Sequence, residues 1–108
     1  MSMMSETVAF KVILRAEKGN QREVRRFTID KDVSTTFIYL QGKVTTVFPD
    51  LENKLFNITW KDADGDLVTI EGNEDLTIAL NEMVGDVNKI FVTVKGEKPT
   101  DDITEQSG

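Results

Sequence analysis

Five carboxylates in the second half of the chain are the first candidates for chemistry: Asp62, Asp64, Asp66, Glu74 and Asp75, together the acidic surface. An Asp64-Gly65 pair suits a tight hairpin turn, and a Glu74-Asp75 pair suits the first turn of a helix. These structural roles do not explain Asp62 and Asp66, which add repulsion around one turn. The cluster is therefore a candidate binding surface.

Calcium binding is one alternative, because Asp62, Asp64 and Asp66 occupy positions 1, 3 and 5 of an EF-hand-like loop. That loop needs glycine at position 6 and glutamate at position 12, where this chain has Leu67 and Asn73. Nothing suggests a pocket between paired carboxylates. The chain also has no histidine and no cysteine, the commonest general base and the soft metal ligand. We therefore expect no metal site, no cofactor and no enzyme.

Basic residues of the first half form the second candidate, the basic surface: Lys11, Arg15, Arg22, Arg25 and Arg26. If two strands pair so that residue numbers sum to 37, Lys11 lies beside Arg26 and Arg15 lies beside Arg22. Arg25 has the other parity, near the strand end where a long side chain reaches water. Like charges across a sheet are mildly destabilising, so the fold gains nothing from this ladder. It is either a solvated face kept for solubility or an anion-binding surface.

The elements that must position these residues are predicted from apolar periodicity. Alternating segments predict five strands, at residues 8–16, 22–30, 56–60, 67–71 and 89–95, with a turn at Lys18-Gly19 in the first hairpin. Helical spacing predicts one helix with Ser34 as N-cap and Pro49 after its end, and another from Gly72-Asn73 to about Gly85. The order ββαββαβ predicts an α+β fold, a β-grasp (ubiquitin-like) roll with a mixed sheet packed against one main helix.

Length and composition indicate one globular domain, since the chain has 108 residues, 39% hydrophobic and 30% charged. We expect a flexible N-terminus at residues 1–7, the domain at 8–95 and an acidic disordered tail or linker at 96–108. No apolar run is long enough to span a bilayer, so no membrane partner is expected. One small core is predicted from the large apolar residues Phe10, Phe27, Ile29, Phe37, Leu40, Val44, Phe48, Ile58, Leu80 and Ile90.

Charge is distributed unevenly along the chain. The balance is +2 over residues 1–54, −5 over 55–95 and −3 over 96–108. A chain of this kind can present opposite fields on two faces.

Both surfaces resemble motifs of one family, the Phox-and-Bem (PB-one) interaction domains. The Asp-x-Asp-Gly-Asp run, followed by Glu74-Asp75, is similar to the acidic motif of that family. Lys11 and Arg25-Arg26 resemble its basic cluster. Two local signatures, residues 22–27 and residues 64–68 with 74–77, look most like the N-terminal domain of sequestosome-type selective-autophagy scaffolds.

The resemblance implies front-to-back association, in which the acidic surface of one molecule receives the basic surface of another. Partners would then be further copies of this chain, in a ring or a filament, and other Phox-and-Bem domains. It also implies a cytoplasmic scaffold protein acting in autophagy and signalling.

The sequence is also compatible with two other functions. A monomeric ubiquitin-like protein-binding domain would share the fold, whereas a ubiquitin-like modifier needs an accessible diglycine end, and this chain ends Gln106-Ser107-Gly108. Nucleic-acid binding could use the basic surface, but the acidic second half repels phosphates and no aromatic platform accompanies the cations. We therefore expect no nucleic-acid partner.

Overall fold

The first hairpin has the predicted register. The structure is a computed structural model that describes residues 6–15 and 22–97. Strands β1 (Thr7–Arg15) and β2 (Arg22–Asp30) pair antiparallel, with Phe10 opposite Phe27. The two rings lie 5.6 Å apart between centroids, at 30°. The predicted turn at Lys18-Gly19 lies outside the described residues.

Helix α1 (Phe37–Val47) begins later than predicted. The prediction of Ser34 as N-cap is wrong, because its buried hydroxyl donates to the carbonyl of Lys31, at 3.0 Å, in the preceding 3-10 turn. Thr36 is the N-cap residue but supplies no side-chain hydrogen bond. The Asn73 Oδ1, from a later helix, accepts the Phe37 N–H at 2.7 Å. A tertiary contact therefore replaces the local cap.

The chain after α1 forms a short 3-10 segment, Pro49–Asn53, which periodicity did not predict. It turns Leu51 into the core, where the side chain is 1% exposed. A second antiparallel hairpin follows, with β3 (Lys54–Lys61) and β4 (Leu67–Ile70). The last elements are α2 (Asn73–Glu82) and β5 (Asn88–Glu97).

The five strands form one sheet in the order β2-β1-β5-β3-β4. β5 pairs parallel to β1 and antiparallel to β3, so the sheet is mixed, and its edges are β2 and β4. The predicted α+β order ββαββαβ and the ubiquitin-like β-grasp fold are confirmed. The two hairpins that carry the predicted charged surfaces occupy opposite edges of this sheet.

The core lies on the sheet face that the helices cover. Of the ten predicted core residues, Phe27, Phe37 and Leu80 are half-buried against the core and the other seven are buried. Prediction left out several that are also buried: Val12, Leu51, Trp60, Ile70, Leu76, Ala79 and Val92. In the described ranges, no helix is long and apolar enough to cross a membrane. Most of the predicted N-terminus and tail lies outside the described residues, although β5 extends to Glu97.

Candidate interaction surfaces

Asp62 organises the loop between β3 and β4. Its Oδ1 accepts the backbone N–H of Asp64 at 3.0 Å and that of Asp66 at 2.9 Å. Backbone bonds from Asp62 N to Asp66 O and from Gly65 N to Asp62 O, both 2.9 Å, close the same turn. Gly65 has φ of +87°, a conformation that favours glycine. Asp62 is half-buried and has a structural role that sequence analysis did not assign.

The loop draws three carboxylates together. Oxygens of Asp62, Asp64 and Asp66 lie within 4.8 Å of one another, and the last two side chains are exposed. The position-6 residue of an EF-hand-like loop, Leu67, starts β4 instead. Asp62 keeps its negative charge while it accepts two backbone hydrogens, and the two exposed carboxylates are those of Asp64 and Asp66.

The other two acidic residues lie at the far end of β4, in the first turn of α2. The Asp75 Oδ2 accepts the N–H of Glu71 at 3.0 Å, so this carboxylate stabilises the entry to the helix. Glu74 is exposed and makes no such bond among the described residues. The acidic surface thus consists of a loop group and a helix group, separated by residues 67–73, which include the four residues of β4.

Lys11 and Arg26 are direct neighbours across the β1–β2 ladder, as predicted. They lie on the sheet face opposite the core, because Phe10 and Val12, which flank Lys11, point into the core. Arg26 is exposed on the edge strand, and Lys11 is half-buried one strand inward.

Arg25 lies on the opposite side of β2 from Arg26. It pairs with Val12, and its guanidinium sits 5.9 Å from the centre of the buried Phe48 ring. This cation–π contact orients an exposed side chain at the sheet edge. The two arginines therefore flank the free edge of β2 from both faces.

The last predicted pair, Arg15 and Arg22, lies four residues along the ladder from the Lys11–Arg26 pair. Arg15 is exposed at the end of β1. It is separated from the other cations by the Ile13–Val24 pair, so the basic surface is an extended strip rather than one compact cluster.

Among the side chains that the structure describes, those of the two surfaces form no ion pairs with the rest of the chain; the side chain of Arg22 lies outside this set. The only salt bridge between described side chains joins Lys31 Nζ to Glu6 Oε1, at 3.2 Å. Both side chains of that pair are largely exposed and belong to neither surface. The described charges of both surfaces are therefore not neutralised by other described side chains.

Sequence analysis missed one cation of this region, Lys89. The parallel register of β5 places it directly beside Lys11. No local signal gave that register, because β1 and β5 lie far apart in the sequence and the connection between them is not a hairpin.

Comparison with known proteins agrees with this geometry. The family model of the PB1 (Phox-and-Bem) domain matches residues 14–95. An AtNBR1-PB1 domain has a TM-score of 0.58 at 21% identity, covering 82% of this chain and 99% of that chain. An AtNBR1-PB1 filament of L type, solved by cryo-EM, has a TM-score of 0.55 at 18% identity, covering 85% and 99%. The chain belongs to the PB1 domain family, a family of protein-interaction domains.

Proposed function

We propose that this domain assembles front to back, the acidic surface of one copy binding the basic surface of the next. The observation that carries this proposal is the placement of oppositely charged side chains, without ion-pair partners among the described side chains, on the two edge hairpins of one sheet. Since the two surfaces of one copy lie at opposite edges, they pair between copies. Such a contact is heterologous, so a bound pair leaves one acidic and one basic surface free for growth.

Electrostatics favours this pairing over the separated state. Neighbouring like charges repel within each surface, and that repulsion is relieved when the opposite surface binds. An arginine fork can bind a carboxylate with two parallel hydrogen bonds, which adds geometric specificity. Arg25 and Arg26, on either side of the free edge, are suited to hold a loop or helix start between them.

The comparisons support the proposal through a related assembly. The AtNBR1-PB1 domain forms a filament, and its fold matches that of this chain. We infer that this chain is the assembly domain, residues 8–95, of a cytoplasmic scaffold resembling sequestosome-type autophagy receptors. Other PB1 domains with a free basic or acidic surface are expected partners, and residues 96–108 would act as a linker.

Two double variants test the proposal. The basic-null variant, Arg25→Ala/Arg26→Ala, keeps the acidic surface, and the acidic-null variant, Asp64→Ala/Asp66→Ala, keeps the basic surface. Each lacks one half of the contact, so light scattering should find each monomeric at concentrations where the parent protein is oligomeric. None of the four side chains is buried, so circular dichroism should be unchanged.

A matched control for the acidic-null variant is Asp50→Ala/Glu52→Ala, which also removes two negative charges, but from an exposed segment outside both surfaces. It should assemble like the parent protein. Oligomers of parental size in the basic-null or acidic-null variant would refute the proposal, as would equal loss in the control.

A further inference from the structure

We propose that Lys89 on β5 is a third cation of the basic surface at the Lys11–Arg26 pair, and that it binds the carboxylates of the β3–β4 loop of a second copy. This inference rests on the proposed front-to-back assembly. It extends the contact one strand further into the sheet than the residues identified from the sequence.

The sheet register places three cations in one row. Lys11 pairs with Arg26 on one side and with Lys89 on the other. Side chains at matching positions of neighbouring strands point to the same face, and strands lie about 4.8 Å apart. The row therefore spans three adjacent strands and about 10 Å.

No described residue neutralises this row. Lys89 is exposed, and neither it nor the other two cations forms an ion pair within the described part of the chain. Like charges on directly opposite positions of a sheet destabilise it. Three of them side by side on one face are explained by a ligand that carries several negative charges close together.

The loop of a second copy has that chemistry. Its three carboxylates have oxygens within 4.8 Å of one another, and two of the side chains are exposed. A compact triple negative charge thus faces a compact triple positive charge across the proposed interface. The next row of the same sheet face is apolar, formed by Val24, Ile13 and Phe91, with Ile13 only 4% exposed. Apolar neighbours lower the local dielectric and strengthen charge pairing.

One competing role for Lys89 lies within its own copy. Lys89 lines a groove together with Lys61 and Asp62, at the base of the β3–β4 loop. It could therefore stabilise the acidic surface of its own molecule rather than form part of the basic surface. The two roles are separable, because each null variant offers only one surface to its partner.

The experiment is a calorimetric titration of the acidic-null variant with the basic-null variant, with Lys89→Glu placed in each in turn. In the acidic-null variant, which contributes the basic surface, the charge reversal should weaken binding about tenfold, and Lys89→Ala about threefold. In the basic-null variant the same changes should leave affinity unaltered. Lys95→Glu is the matched control, since Lys95 is an exposed lysine of the same strand about 20 Å away.

The outcomes separate the inference from the proposal on which it rests. Absence of binding between the two parent null variants overturns front-to-back assembly and, with it, the role of Lys89. If the parents bind but Lys89→Glu behaves like Lys95→Glu, the assignment of Lys89 alone is overturned. It is also overturned if Lys89→Glu weakens binding only in the basic-null variant, since Lys89 would then act on its own acidic loop.

Discussion

At the scale of single residues, the five carboxylates of the acidic surface differ in whether they make hydrogen bonds within the fold. Asp62 holds the loop through two N–H bonds to one oxygen, whereas Asp64 and Asp66 present their carboxylates to solvent. Asp75 similarly accepts the N–H of Glu71 and leaves Glu74 as the exposed acid of its group. Sequence analysis could name all five residues but could not assign these roles, because the Asp62 bonds depend on the folded loop.

This division predicts different effects of two substitutions at Asp62. Asp62→Ala removes the acceptor of both loop N–H groups and should lower the free energy of unfolding by about 1 kcal/mol. Asp62→Asn keeps the Oδ1 that accepts both bonds, so it should cost about half as much or less. Urea unfolding measures both. Equal losses in the two variants would show that the charge of Asp62, rather than its hydrogen bonds, stabilises the loop.

Arginine geometry matters beyond charge at the edge of β2. Arg25→Lys/Arg26→Lys keeps two positive charges but loses the planar forks and the favourable stacking of Arg25 on Phe48. Arg25→Lys/Arg26→Lys is placed in the acidic-null variant, which keeps the basic surface but cannot form longer assemblies. This four-residue variant is titrated with the basic-null variant. The affinity of the four-residue variant for the basic-null variant should be about tenfold lower than that of the acidic-null variant. An unchanged affinity would mean that charge alone recognises the partner.

At the scale of elements, the two helix starts are linked by one side chain. Asn73, the first residue of α2, accepts the N–H of Phe37, the first residue of α1, at 2.7 Å. The helix group of the acidic surface follows directly after it. The contact therefore connects the main helix to the segment that carries Glu74 and Asp75.

Removal of this contact should destabilise the domain measurably. Asn73→Ala leaves a helix N–H without its acceptor and should lower the free energy of unfolding by about 1 kcal/mol. Asn73→Asp retains an acceptor oxygen and serves as the control, so it should lose clearly less. Urea unfolding of both variants makes the comparison, and a loss as large for Asn73→Asp as for Asn73→Ala would contradict the capping role.

The elements with a clear local sequence pattern were predicted, whereas features that depend on tertiary contacts were not. The strands of the first hairpin and its register follow from alternation, which fixes which side chains share a face. The start of α1 was misplaced because its cap comes from another helix, and the 3-10 segment that buries Leu51 has no periodic signal. Lys89 was missed because a parallel pairing between distant strands leaves no local pattern.

At the scale of the whole molecule, the basic first half and the acidic second half of the sequence lie on different sides of the folded sheet. The sheet order puts the basic hairpin at one edge and the acidic hairpin at the other, with the edge strands β2 and β4 four strand spacings apart. That distance, about 19 Å, exceeds the Debye length of about 8 Å at physiological salt, so the cations of β2 interact only weakly with the acidic loop beside β4 of their own copy. We therefore expect each set of charges to bind a second copy rather than its own.

Ionic strength should therefore control assembly. Exposed charge pairs are screened more strongly as the Debye length shortens to about 3 Å at 1 M salt. Light scattering should find shorter assemblies as salt rises, and the Asp50→Ala/Glu52→Ala control should follow the parent protein. Oligomers that grow or persist unchanged toward 1 M salt would indicate an apolar interface instead.

The most direct test of front-to-back assembly is the size of the complex in a mixture of the two null variants. The basic surface of the acidic-null variant can still bind the acidic surface of the basic-null variant, but neither end of that pair can grow. Light scattering and calorimetry should therefore find two monomeric proteins that form a 1:1 heterodimer and nothing larger. If both variants are folded by circular dichroism and still form no heterodimer when mixed, front-to-back assembly is contradicted.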